Sequence, residues 1–187
     1  MLNLENFENK FNRAINSEEW NKLVDDFKQS HNIFIFGNGG NYAVASHAAA
    51  DCSRLLDKNV QSFDNMTYMT SCANDFGYDG VFTRYLELLE MKNALNNCMV
   101  IGLTCSGNSP NVCSVLEWAS ERNIKTAMIT GQKSTKLSSD INEVVLDVDH
   151  FHNGELLTLA LFYEIVEAVG GKCPTIKAEI IRKSTAV

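Results

Sequence analysis

Cys98-Met99-Val100-Ile101-Gly102-Leu103 runs straight into Thr104-Cys105-Ser106-Gly107-Asn108-Ser109 and then Pro110-Asn111-Val112, and this stretch decides the fold class. Its first six residues form an unbroken apolar run with no polar alternation, as expected of a strand covered on both faces. Pro110 suits the first position of a helix and Ser109 the cap before it, so a helix from about 110 to 122 follows the loop directly. The same strand–loop–helix pattern stands upstream, where Asn32-Ile33-Phe34-Ile35-Phe36 leads through Gly37-Asn38-Gly39-Gly40 into a small-residue helix over 41–56. It starts again at Lys125-Thr126-Ala127-Met128-Ile129, which turns at Thr130-Gly131. Strands alternating with helices, each strand apolar on both sides, predict a doubly wound parallel α/β sheet flanked by helices, in a single domain.

Around that centre, two helical stretches open the chain, the second capped by Ser17 with Glu18 and Glu19 at its positive end. A last strand is expected over 143–148. It leads through Asp149-His150-Phe151-His152 into a helix over 153–169 whose apolar residues cover nearly its whole circumference. A helix apolar all round is buried all round, and in a chain of 187 residues packing against a second copy is the simplest way. A homo-oligomer is therefore expected. The net charge of −7 argues against a nucleic-acid partner, which would call for a basic patch. No apolar run reaches the length of a membrane span and the first residues do not form a signal peptide, so a cytoplasmic protein is expected. The six cysteines lack C-x-x-C spacing and read as free thiols.

The chemistry-bearing residues sit at the ends of the strands. Thr104, Ser106 and Ser109 place hydroxyls beside the backbone N–H groups of a helix N-terminus, which attracts phosphate. No Lys completes a Walker A motif, which disfavours a nucleoside triphosphate and favours a phosphomonoester; a capped turn with incidental serines is the alternative. Gly37-Asn38-Gly39-Gly40 fails as a dinucleotide fingerprint because Tyr42 stands where the third glycine belongs, so no nucleotide cofactor is expected. Asn38 and Asn41 are candidate donors to a sugar, although the glycines would equally suit a tight turn. His47 and Asp51, four apart on one helix face, could converge on a substrate or a metal, or simply bond each other. His150 and His152 would point the same way if the extended geometry persists beyond the last strand.

Three motifs in fixed order, Gly37-Asn38-Gly39-Gly40, Ala73-Asn74-Asp75-Phe76-Gly77 and Thr104-Cys105-Ser106-Gly107-Asn108-Ser109-Pro110-Asn111-Val112, resemble those of the phosphoheptose isomerases, a branch of the sugar isomerase (SIS) family. The resemblance covers roughly residues 30–170. It implies an N-terminal helical segment (1–30), a flavodoxin-like SIS phosphosugar-binding domain (31–171) and a C-terminal tail (172–187). It further implies a homotetramer with sites at subunit boundaries, and conversion of sedoheptulose 7-phosphate to a heptose 7-phosphate for surface polysaccharide. Substrate contacts are then expected from Asn38, Gly39, Asn41, Asn74, Asp75, Thr104, Cys105, Ser106, Asn108 and Ser109. The family's His and Glu of the first helix fall on His47 and Asp51, a carboxylate one methylene shorter. Its C-terminal catalytic His falls on Phe162 and a Gln falls near Gly154, with the adjacent Glu kept as Glu155. Acid–base work is thus expected of Asp51, His47, Glu155 and His152. A zinc ion, which some members hold with such groups, would draw on His47, Asp51, His150 and His152. A non-catalytic phosphosugar-binding regulator or scaffold is the alternative.

Overall fold

The computed structural model describes residues 4–175, so the tail expected over 172–187 lies largely outside the described residues. Five strands form one sheet in the order β2-β1-β3-β4-β5, with β1 at Asn32–Gly37, β2 at Asn59–Ser62, β3 at Cys98–Thr104, β4 at Lys125–Thr130 and β5 at Asn142–Val145. Every neighbouring pair is parallel. Side chains alternate along each strand and so build two cores. Ile33, Ile35, Met99, Ile101, Leu103 and Ile129 face one layer, whereas Phe34, Phe36, Val100 and Met128 face the other. The first layer holds α1 (Leu4–Ile15), α2 (Glu18–Gln29), α3 (Gly40–Leu55) and α7 (Phe151–Ala168). The second holds α4 (Met66–Phe76), α5 (Val81–Met91) and α6 (Pro110–Ser120). The doubly wound parallel sheet expected from the sequence is the observed fold.

Ser17 accepts the Trp20 N–H and starts α2 as expected. The last strand is shorter than expected because Asp147 adopts a left-handed backbone (φ 54°). The chain nevertheless keeps its path: Leu146 N–H donates to Thr130 O at 2.8 Å and Val148 N–H to Gly131 O at 3.0 Å. Helix α7 begins at Phe151, not 153, and buries Leu157, Leu161, Phe162, Ile165 and Val166 within this chain. Phe162 is only 1% exposed, and its ring belongs to the chain's own core. The opposite face leaves Leu156 44% and Tyr163 37% exposed. Among the described residues no helix is long and apolar enough to cross a membrane.

Candidate active site

Because β1 continues outward to β2 while β3 continues the other way to β4, the loops after β1 and β3 diverge. In open α/β sheets such a switch point leaves a crevice at the carboxyl ends of the strands. Here a cavity of about 260 Å³ opens between Asn38–Asn41, the loop Thr104–Ser109, and Phe151 and Glu155 at the start of α7. A neighbouring cavity of about 320 Å³ shares Cys105, Ser106 and Phe151 and reaches Gln132, Asp149 and His150.

The phosphate-loop residues do gather. Thr104 Oγ1 lies 2.9 Å from Ser109 Oγ and 3.5 Å from Ser106 Oγ, a cluster of hydroxyls on the cavity wall. Ser109 occupies the cap position of α6 but makes no side-chain bond to the helix, its hydroxyl turning to Thr104 instead. The sharp bend needs Gly107 at φ +74°, where a Cβ would meet Gln132 O at 2.5 Å. Asn108 is placed differently from the expectation. Its Oδ1 accepts from Thr135 N–H at 3.1 Å and its Nδ2 donates to Ser106 O at 3.1 Å. The side chain braces the loop against the β4–β5 connection and is not on the cavity wall. Cys105 is on the wall: Asn41 Nδ2 donates to its sulfur at 3.4 Å, and burial pushes the thiol pKa up, so it stays protonated.

Asn38 and Asn111 exchange amide hydrogen bonds at 2.8 and 2.9 Å, and the Tyr78 hydroxyl donates to Asn38 Oδ1 at 2.9 Å. One Asn38 N–H is left for a ligand. Asn111 and Tyr78 were not read as site residues from the sequence, although Asn111 stands within the third motif and Tyr78 directly after the second. Asn74 and Asp75 bond each other at the exposed end of α4 and do not reach the cavity within this chain. Gly40 begins α3 directly against Glu155, where any Cβ would collide with the carboxylate. Gly154 permits a similar approach, with a Cβ there only 3.1 Å from Cys105 Sγ.

His47 and Asp51 lie on α3 beyond the cavity. Gly40 and His47 are seven residues apart, about 10 Å along a helix. His47 Nε2 is 3.2 Å from Asp51 Oδ2, and Arg54 donates to Asp51 Oδ1 at 2.8 Å. The third partner was missed from sequence: Tyr163 Oη sits 2.9 Å from the same His47 nitrogen. Helices α3 and α7 both start at the cavity and run side by side, Gly40 facing Glu155 and His47 facing Tyr163.

His150 and His152 do not point the same way, because the helix starts between them. His150 has extended backbone at the cap position of α7, whereas His152 is helical and pairs with Glu155 at 3.4 Å. Among the described residues no three His, Cys, Asp or Glu side chains gather as a metal site. The expected zinc set of His47, Asp51, His150 and His152 is therefore not assembled within one chain, and the donors present do not fit a tetrahedral zinc.

No family model matches the sequence. The chain is 33% identical over 157 residues to a phosphoheptose isomerase of Pelobacter propionicus, covering 78% of this chain and 80% of that one. It is 31% identical over 134 residues to a phosphoheptose isomerase of Vibrio cholerae, covering 69% and 68%. The solved phosphoheptose isomerase of Neisseria gonorrhoeae superposes with a TM-score of 0.75 at 20% identity, covering 87% of this chain and 90% of that one. That of Francisella tularensis does so with a TM-score of 0.71 at 17% identity, covering 89% and 93%. A shared fold together with identity of this level over most of both chains places this protein in the phosphoheptose isomerase family.

Proposed function

We propose that this chain is a sugar-phosphate isomerase that converts sedoheptulose 7-phosphate into a heptose 7-phosphate. The observation that carries the reading is the placing of two chemistries along one helix. A lysine-free hydroxyl loop stands where α3 begins, and His47 stands about 10 Å further along it, with Asp51 one turn beyond and its carboxylate 3.2 Å from the imidazole. A seven-carbon chain has six C–C bonds of about 1.5 Å and extends over roughly 8 Å before its phosphoester is added. Its phosphate can thus rest on Thr104, Ser106, Ser109 and the N-terminus of α6 while C1 and C2 reach His47 and Asp51.

The reaction moves a carbonyl from C2 to C1. Asp51 takes a proton from C1, an enediolate forms, and the Asp51 carboxyl, whose proton exchanges with solvent, protonates C2, while the O1 hydroxyl proton is exchanged for one on O2. Arg54 holds the Asp51 carboxylate from the side away from His47. Remote binding of the phosphate fixes the reacting carbons against that base. Glu155 and His152 remain candidates for proton exchange at the cavity end. The exposed Leu156 and Tyr163 on α7 support a homo-oligomer, which we take to be a tetramer with sites at its subunit boundaries. Six unpaired cysteines support a reducing, cytoplasmic setting.

Incubation with sedoheptulose 7-phosphate in D2O, followed by NMR, tests the reading. Deuterium should enter at C1 and C2 as heptose 7-phosphate accumulates. Binding of the sugar phosphate with neither exchange nor product would instead favour the non-catalytic regulator.

A further inference from the structure

We propose that the Tyr163 hydroxyl is the group that donates a proton to the substrate's carbonyl oxygen in this isomerase. The inference rests on the isomerase reading above and adds a catalytic residue to it. Its ground is the row of three groups across the α3–α7 seam: Tyr163 Oη 2.9 Å from His47 Nε2, and His47 Nε2 3.2 Å from Asp51 Oδ2.

The proton positions in this row follow from electrostatics. A carboxylate beside Nε2 favours the tautomer that carries a proton on that nitrogen, because two acceptors face to face would repel. With Nε2 protonated, its one N–H is shared between Asp51 Oδ2 and Tyr163 Oη, so Oη accepts and the tyrosine O–H is left free to donate outward. The residue is 37% exposed and so stands outside the chain's core. The rings of Tyr163 and His47 meet edge to face, centroids 6.3 Å apart at 88°, which holds the phenol ring beside His47. Burial first, and the nearby Asp51 carboxylate after it, raise the phenol pKa above its ordinary value and keep the hydroxyl neutral and protonated.

The step balances within the sugar. Asp51 accepts the C1 proton as the C1–C2 double bond forms. The C2 carbonyl π electrons move to O2, and Tyr163 gives O2 its proton. The phenolate recovers a proton from the O1 hydroxyl as the new carbonyl closes at C1, and Asp51 returns its proton to C2. No external oxidant or reductant enters.

Tyr163→Phe removes a single oxygen at a partly exposed site and leaves the ring in place. With sedoheptulose 7-phosphate as substrate, kcat should fall about 10²-fold or more with KM little changed, in line with loss of a general acid. Tyr163→His, which restores a proton donor, should exceed Tyr163→Phe. A Tyr163→Phe protein that keeps its kcat, one whose loss lies in KM alone, or a Tyr163→His no better than Tyr163→Phe overturns this role while the isomerase reading stands. Absence of both heptose 7-phosphate and solvent deuterium with the wild-type protein overturns the isomerase reading itself, and this role with it.

Discussion

Replacing both loop hydroxyls, Ser106→Ala with Ser109→Ala, tests the phosphate assignment where the structure is most specific. The two oxygens converge on Thr104 Oγ1 at 3.5 and 2.9 Å, and all three line the cavity. A hydrogen bond to a charged group contributes roughly 1.5–3 kcal/mol, so two lost bonds set an upper range of about 3–6 kcal/mol. Thr104 keeps its own hydroxyl and water can fill the vacated space, which brings the expected loss down to about 2 kcal/mol or more, at least roughly thirtyfold in Kd. There is a cost in the fold as well. Thr104 is 4% exposed and loses both side-chain partners, which destabilises by about 1–3 kcal/mol and lowers Tm. Calorimetric titration with sedoheptulose 7-phosphate reads the binding term, and a denaturant melt reads the stability term separately. If the folded double mutant binds the sugar phosphate as tightly as the parent, the loop is a capped turn and the phosphate lies elsewhere.

Asp51→Asn should abolish turnover while leaving the oligomer intact by sedimentation, since the amide cannot take the C1 proton; full activity would remove the base assignment. Phe162→His should lower stability by roughly 2–4 kcal/mol without raising kcat/KM, because it puts an unpartnered imidazole into a site 1% exposed; a gain in activity would show that position 162 reaches the substrate. Gly40→Ala should displace the Glu155 carboxylate and weaken sugar-phosphate binding, checked by the same calorimetry, because its Cβ takes the carboxylate's place. Arg13 first, and Lys10 after it, hold Asp147 below the ordinary carboxylate pKa. A carboxylate shifted down stabilises the fold above its unfolded pKa, and the contribution is lost as pH falls through the lower folded value. The stability difference between the parent and Asp147→Asn should therefore be full at pH 7 and vanish in acid. It should stay under about 1 kcal/mol because the side chain is 57% exposed.

The central strands were legible because parallel strands buried on both faces must be apolar throughout, as 33–36 and 98–103 are. The edge strand β2 was not, since Asn59-Val60-Gln61-Ser62 pairs along one side only and carries a single buried residue, Val60. Helices α4 and α5 passed unread for a related reason: α4 buries only Cys72 and α5 only Val81, Phe82 and Leu86, too few for a clear period. The cavity residues nearest the strand ends, Asn38, Asn41, Thr104, Ser106 and Ser109, were found because topology and local turn chemistry point to the same place. Asn108 was misplaced because a loop asparagine bonds its own turn as readily as a ligand, and here it does the former.

The pairing across α3 and α7 shows where motif alignment ends and helix geometry takes over. One residue along an α-helix turns the side chain through about 100°, so neighbours in sequence face different surroundings. Phe162 is directed inward, packed with Leu157, Leu161, Ile165 and Val166 in the layer that also holds α3. Tyr163 is directed along the seam, where its hydroxyl meets His47. An alignment that sets a catalytic histidine on position 162 therefore reports the loss of a proton-transfer group, while the three-dimensional arrangement supplies a hydroxyl from the next residue. The two readings differ in what a restoring substitution does. A histidine at 162 has a core to disrupt and no substrate to meet, whereas a histidine at 163 stands beside His47 and Asp51. Comparing Phe162→His with Tyr163→His in one background, by kcat on sedoheptulose 7-phosphate and by Tm, separates them. The core position should lose stability with no catalytic gain, and the seam position should retain measurable turnover with little change in Tm. The opposite pattern would mean that α7 is rotated in the working protein.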